Sequence, residues 1–158
     1  MNYGQFLNMV PEFYLVLMLI AIFVVDFIMH RSEKKVDVLF SVTAALLVVL
    51  PVRIALLSEP AEAFGGLYVA SQAVNVMKVI LAVGTLIVVI MAQPWVEKTK
   101  RLAGEFYMLI LSTLLGMFVM MSSGNFLMFF LGLEMASVPL ACLVAFDKDR
   151  KNSAEGAA

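Results

Sequence analysis

Long apolar stretches alternate with short polar segments along the whole chain. A membrane-spanning helix needs about 20 largely apolar residues, and five stretches approach or meet that length. They cover about residues 13–29, 38–57, 73–92, 106–121 and 126–146. No alternation of apolar and polar residues with a period of two is sustained. The pattern therefore predicts an all-α, polytopic integral membrane helix bundle, a single membrane domain over residues 1–158 with five transmembrane helices.

The polar segments between these helices contain residues that favour turns. Residues 58–66, with a proline and a Gly-Gly pair, predict a turn-rich loop. We expect Pro94 and Trp95 to close the third helix, because proline cannot continue the hydrogen-bond ladder and tryptophan favours the membrane interface. The small polar residues 122–125 predict a tight turn, which makes the fourth and fifth helices antiparallel neighbours.

Composition supports a membrane protein and excludes several other classes. The chain is 63% hydrophobic and 15% charged, with a mean hydropathy of +0.98. A formal charge of −1 excludes a basic nucleic-acid binder. The single cysteine, Cys142, excludes a multi-thiolate metal site, and the single histidine, His30, argues against a histidine-based one. No glycine-rich nucleotide loop is present, so we expect no metal, no bound cofactor and no direct NADH binding.

The basic residues predict an orientation in the membrane. Nine of the eleven Lys and Arg residues follow the first, third and fifth predicted helices. They are Arg31, Lys34, Lys35, Lys98, Lys100, Arg101, Lys148, Arg150 and Lys151. Because cytoplasmic loops carry an excess of basic residues, the N-terminus is expected outside and the residues after Phe146 in the cytoplasm.

The two ends of the chain bear on whether a signal peptide is removed and whether further helices follow. The N-terminus has no basic region, and the first apolar stretch is too long for a signal peptide, so we expect a retained helix. The polar tail that begins at Asp147 is similar to the start of another helix. We therefore expect the chain to be truncated before a sixth helix.

Glu134 is the strongest functional candidate. It follows Asn125 by nine residues, which places it about 13 Å along the fifth helix and near the middle of a hydrocarbon core about 30 Å thick. An ionisable residue there costs about 2.5–3.5 kcal/mol on insertion scales. Burial disfavours the ionised carboxylate and a neighbouring ammonium favours it, so such a carboxyl suits a proton relay. The alternative is a permanently protonated glutamic acid that only pairs with a neighbouring helix.

Three other ionisable residues fall within or at the ends of predicted helices. We expect Lys78 to place its ammonium at the outer interface, although an inward lysine paired with a carboxylate is the alternative and makes it a possible secondary site residue. Asp26 and Arg53 are expected to be interfacial.

A family resemblance appears in the fourth and fifth helices. The segment Glu105-Phe106-Tyr107-Met108-Leu109 opens one helix, and Phe130-Leu131-Gly132-Leu133-Glu134-Met135-Ala136-Ser137-Val138-Pro139-Leu140 lies in the next. Together with Gln93-Pro94-Trp95-Val96-Glu97 and the tail around Ser153-Ala154-Glu155, these segments resemble the subunit N family of bacterial NADH–quinone oxidoreductase, respiratory complex I. The match at Glu134 covers the antiporter-like subunits as a group.

The resemblance implies a function and a set of partners. It implies a fold of about 14 helices in inverted repeats, of which this chain is the N-terminal portion. It implies a proton-translocating subunit in which Glu134 is the proton relay and pairs with a lysine on a later helix. NADH, FMN, iron–sulfur clusters and quinone belong to the parent complex. Partners would be the lipid bilayer and other membrane-arm subunits, in the bacterial inner (plasma) membrane.

Two other functions remain open. The same motif group includes subunits of multi-subunit sodium/proton antiporters and of membrane-bound hydrogenases. The five helices could also be an inert scaffold or assembly segment. In each case the chain alone is not expected to be catalytic.

Overall fold

The computed structural model describes residues 9–29, 32, 34–57, 59–98 and 102–146. It contains five long apolar helices, which confirms the predicted bundle. They are α1 (Val10–Ile28), α2 (Lys35–Leu57), α3 (Gln72–Lys98), α4 (Ala103–Met121) and α5 (Phe126–Val144). His30, Arg31, Lys100, Arg101 and the predicted tail beyond residue 146 lie outside the described residues.

The prediction that Pro94 closes the third helix is wrong. Pro94 lies inside α3, which continues to Lys98. A proline removes only one backbone donor from the ladder, and Pro94 is exposed and lies four residues before the end of α3. Pro51 and Pro139 likewise lie inside α2 and α5.

A small β-hairpin occupies much of the predicted loop between the second and third helices. Strands β1 (Ala61–Ala63) and β2 (Tyr68–Ala70) pair antiparallel, with Ala63 opposite Tyr68. Gly65 and Gly66, at φ of 66° and 89°, supply the left-handed backbone between them, a conformation that costs glycine little. Strands of three residues are too short to produce a periodic signal, so the sequence predicts only the turn.

Helix α4 is the centre of the bundle and α5 lies at its edge. Ten of the nineteen residues of α4 are buried, whereas Gly132 is the only buried residue among the nineteen of α5. Apolar side chains from α1, α2 and α3 pack around α4, and residues with no exposed surface form the centre of this core. They are Leu15, Ile22, Leu39, Leu47, Ala82, Val89, Tyr107, Leu111, Leu114 and Phe118.

Two glycines allow α4 and α5 to pack closely. A Cβ on Gly116 would overlap the backbone of Ala136, and one on Gly132 would overlap the backbone of Met120. The two pairs have the register of antiparallel neighbours, as the tight turn predicts. Small residues at a helix contact are typical of membrane bundles, where van der Waals packing replaces the hydrophobic effect.

Candidate functional site

Glu134 projects from the outer face of α5. It is the ninth of nineteen residues in that helix, and its side chain is exposed. Gly132 and Ala136 both face α4. A residue two positions away on a helix is rotated by about 200°, so Glu134 points away from α4. The carboxylate therefore lies on the free face of the outermost helix.

The described residues offer the Glu134 carboxylate no partner. Within residues 9–146 as far as the structure describes them, no ion pair or side-chain hydrogen bond reaches it, and Ser137 contacts only its backbone oxygen. The described lysines buried inside the bundle are paired elsewhere, Lys78 with Glu12 and Lys35 with Asp26. Whether Glu134 relays protons stays a prediction.

Lys78 does not extend to the membrane interface, and the expectation that it does so is wrong. The residue has no exposed surface. Its Nζ lies 2.5 Å from Oε1 of Glu12, which is itself only 4% exposed. The alternative, an inward lysine paired with a carboxylate, is the one the structure shows. A fully buried ammonium needs a partner because removing an unpaired charge from water is far costlier than removing a paired one.

Two further side chains contact this ion pair, and we call the four residues, which come from four elements, the Glu12–Lys78 cluster. They are Glu12 in the first turn of α1, Tyr68 on β2, Lys78 on α3 and Ser122 at the end of α4. The Tyr68 hydroxyl donates to Oε2 of Glu12 at 3.1 Å and accepts from Nζ of Lys78 at 3.2 Å. Ser122 Oγ donates to Oε1 of Glu12 at 3.4 Å. Both carboxylate oxygens are therefore satisfied inside the protein.

Two aromatic rings complete the surroundings of the ammonium. Nζ of Lys78 lies 5.2 Å from the centre of the Tyr68 ring and 5.7 Å from that of Phe118. An aromatic face within about 6 Å attracts a cation, and the attraction grows when water is excluded. The rings stabilise the charged form of the lysine on the sides that Glu12 leaves open.

Tyr68 keeps its proton in this environment. Burial, and secondly the Glu12 carboxylate, raise the pKa of Tyr68 well above its ordinary value of 10.0. The hydroxyl is therefore a donor to Glu12 throughout the physiological range. A neutral tyrosine between a carboxylate and an ammonium links the two without adding charge.

The sequence interpretation missed Glu12 as a partner for Lys78. Glu12 follows Pro11 in the first turn of α1, where an acidic residue is common at any helix start. The order of the helices in the membrane could have indicated a partner for Lys78. The start of α1, the segment joining α2 to α3 and the start of α3 lie at the same end of a five-helix bundle, which leaves Glu12, Glu59 and Glu62 as the candidate partners.

A second ion pair lies at the opposite end of the bundle. Nζ of Lys35 is 2.8 Å from Oδ1 of Asp26, with both side chains partly buried. A Cβ on Gly104 would overlap the Asp26 carboxylate, so α4 approaches α1 closely here. Asp26 is thus paired within the protein rather than simply interfacial. Arg53 is exposed and lies 5.5 Å from the centre of the Tyr14 ring.

Metal-ligating side chains do not gather in the part of the chain that the structure describes. No three His, Cys, Asp or Glu residues come together there, and Cys142 is exposed on α5.

Comparison with known proteins gives matches along the whole chain. No protein-family model matches it. A protein of Phocaeicola vulgatus named NADH-quinone oxidoreductase subunit N is 41% identical over 160 residues, which cover 100% of this chain and 33% of that protein. Proteins with the same name from Azobacteroides pseudotrichonymphae and Herminiimonas arsenicoxydans are 38% and 30% identical over 99% of the chain and 33% of their own length. The chain spans about a third of the length of the curated relatives it matches.

Proposed function

Because this chain belongs to the subunit N family of NADH-quinone oxidoreductase, we propose that it is the N-terminal portion of a proton-translocating subunit in the membrane arm of that complex. The family and the five apolar helices make it a multi-pass membrane subunit. Proton translocation is the finer proposal. It is supported by a carboxylate in the middle of an apolar helix, which is costly in lipid unless it serves a function.

The position of Glu134 is the observation that carries the proposal. Its carboxylate leaves the described bundle on the free face of α5, where lipid would be an unfavourable neighbour. Further helices of the same subunit would cover this face and bring a lysine to Glu134. The ammonium beside it would keep the carboxylate ionised, and separation of the pair would favour the protonated carboxyl, which would take up a proton from one side of the membrane and release it toward the other side when the pair forms again. One carboxyl would thus take up and release one proton in each cycle.

The remaining chemistry is assigned to other subunits. We propose that this chain binds no cofactor and that NADH, FMN, the iron–sulfur clusters and quinone are held elsewhere in the complex. Its partners would be other membrane-arm subunits and the lipid bilayer. The orientation follows the basic residues, with the N-terminus and the hairpin outside and the residues after Phe146 in the cytoplasm of a bacterial cell.

The Glu134→Gln variant of the full-length subunit, in the assembled complex, tests the relay. An amide of nearly the same shape cannot exchange the proton, so we expect proton pumping per assembled complex to fall by about tenfold or more. NADH oxidation with quinone should fall with it, because the two processes are coupled. The measurement is proton uptake by inside-out membrane vesicles on addition of NADH.

The matched control is Glu59→Gln, which changes an exposed carboxylate outside the helices. This variant should pump at the unmodified rate. Normal pumping and normal turnover in Glu134→Gln would remove Glu134 from the proton path and with it the main support for the proposal.

A further inference from the structure

One short segment of the hairpin connects the Glu12–Lys78 cluster to the turn between α4 and α5. The Leu67 carbonyl accepts a hydrogen bond from the Gly124 amide at 2.7 Å, and the Val69 amide donates to the Ser122 carbonyl at 2.9 Å. Tyr68, between them, sends its hydroxyl to Glu12 and Lys78. Three successive residues therefore hold the turn by their backbone and the ion pair by a side chain.

The α4–α5 turn packs directly against the backbone of the hairpin at Gly124. A Cβ on Gly124 would overlap the Gly66 carbonyl oxygen. Ser122 adds a direct contact from the turn to the ion pair, because its hydroxyl donates to Glu12 at 3.4 Å. Displacement of the hairpin would therefore disturb the α4–α5 turn. Loss of the ion pair would remove the side-chain contacts that hold the hairpin and the turn in place.

Within the described bundle, α5 packs mainly against α4 and buries little of its own surface. Gly132 is its only buried residue, where it packs on Met120 of α4. At its start, the Asn125 side chain accepts a hydrogen bond from the Met128 amide at 2.9 Å and so fixes the first turn of the helix to the segment held by the hairpin. The position of α5 thus depends on the turn at one end and on its close contacts with α4, at Gly132 with Met120 and at Gly116 with Ala136.

We propose that Glu12, Lys78 and Tyr68 form a positioning site that sets the place of α5, and hence of Glu134, by anchoring the hairpin to the α4–α5 turn. This inference rests on the proposed function of Glu134. The hydrogen bonds and the ion pair of these three residues do not include Glu134. They act through the backbone of residues 67–69.

A paired charge suits this task better than an apolar contact. Its geometry is specified by directional hydrogen bonds from four elements, whereas apolar packing tolerates sliding. Polar groups buried with all partners satisfied also select one arrangement over close alternatives in some proteins. The cluster therefore fixes a register between α1, α3, the hairpin and the turn.

Hydrogen exchange in the assembled complex tests the anchoring itself. In the full-length subunit, Lys78→Met removes the ammonium and keeps an unbranched side chain. We expect the amides of Val69 and Gly124 to exchange at least about tenfold faster, measured by mass spectrometry of overlapping peptides. Lys98→Met, on the exposed end of the same helix, should leave both amides unchanged. Unchanged exchange in Lys78→Met would overturn the proposal.

The rate of proton pumping per assembled complex tests the consequence for Glu134. Lys78→Met should lower this rate about tenfold, and the coupled NADH oxidation with it, since a displacement of about 1 Å can cost up to a hundredfold in rate. A residue that mattered only for folding would lower the amount of complex but not the rate per assembled complex. A normal rate together with faster exchange would overturn the positioning role.

Two further variants keep the test decisive if Lys78→Met does not assemble. Tyr68→Phe keeps the ring and the ion pair and loses only the hydroxyl, so exchange at Val69 should rise about fivefold, the effect of one typical hydrogen bond. The double variant Glu12→Gln with Lys78→Met leaves no buried charge unpaired but loses the ion pair, so exchange at Val69 and Gly124 should still rise at least about tenfold and pumping per assembled complex should still fall. Unchanged exchange in this double variant would overturn the positioning role.

The two proposals fail in different ways. If Glu134→Gln pumps normally, the proposed relay is wrong, regardless of the hydrogen-exchange rates at Val69 and Gly124. If Glu134→Gln fails to pump while Lys78→Met and Tyr68→Phe leave exchange and pumping unchanged, the relay stands and the positioning site is wrong.

Discussion

Two carboxylates on the spanning helices, those of Glu12 and Glu134, have opposite surroundings. Glu12 is 4% exposed and its oxygens contact a lysine, a tyrosine and a serine within the chain. Glu134 is exposed on the edge helix, and no side chain in the described residues pairs with it. A satisfied carboxylate stabilises the structure that encloses it. An unsatisfied carboxylate on an apolar helix is costly unless it serves a function, which is why we propose Glu134 and not Glu12 as the relay.

The largest expected effect comes from breaking the satisfied pair. Glu12→Gln leaves the Lys78 ammonium buried without a countercharge, so we expect a loss of about 3–5 kcal/mol in the free energy of unfolding. Glu134→Gln in the same chain should change it by no more than about 0.5 kcal/mol, because no described side chain pairs with that carboxylate. Denaturation in detergent micelles, followed by circular dichroism, measures both. Equal losses in the two variants would contradict the different surroundings of the two carboxylates.

A smaller effect is expected where α5 touches α4. Gly132→Ala places a methyl group against the backbone of Met120, and neither helix can yield without repacking. Overpacking of this kind costs about 1–3 kcal/mol. Gly84→Ala is the matched control, because its added Cβ meets nothing within 4 Å on α3. It should be neutral or stabilising by up to about 1 kcal/mol. The same denaturation experiment would contradict the close contact if both variants behaved alike.

The smallest effect concerns alkaline pH. Burial and Glu12 raise the pKa of Tyr68, so above about pH 10 the unfolded chain releases this proton and the folded chain keeps it. Stability should therefore fall as pH rises beyond that point, by at most about 1.4 kcal/mol per pH unit for this one group. Tyr68→Phe should show a shallower fall between pH 10 and 11. An identical slope in both proteins would mean that Tyr68 ionises alike in the folded and unfolded chains.

Sequence reasoning found the exposed carboxylate and missed the partner of the buried lysine. Glu134 stands out because its neighbours along the helix are apolar, and that information is local. Glu12 is followed by 65 residues before Lys78, and each residue separately resembles an ordinary helix-end charge. Only packing shows that α1 and α3 bring them within 2.5 Å.

The hairpin illustrates the same limit. Residues 61–70 contain the Gly-Gly pair that predicts a turn, but strands of three residues leave no periodic trace. What makes these strands significant is Tyr68, which no local pattern distinguishes from a tyrosine at a membrane interface. Its contacts come from α1 and α3, which are distant in the sequence.

The sequence by itself determined the five apolar helices, the tight α4–α5 turn and the mid-helix position of Glu134. Each follows from hydropathy, turn-forming residues and the helical rise, which depend only on neighbours in the chain. Tertiary structure decided that Lys78 points inward, that Pro94 continues its helix and that Glu134 faces away from the bundle. These outcomes depend on which helix faces another, and that choice is made by packing at residues such as Gly116 and Gly132 and by the need to pair a buried charge.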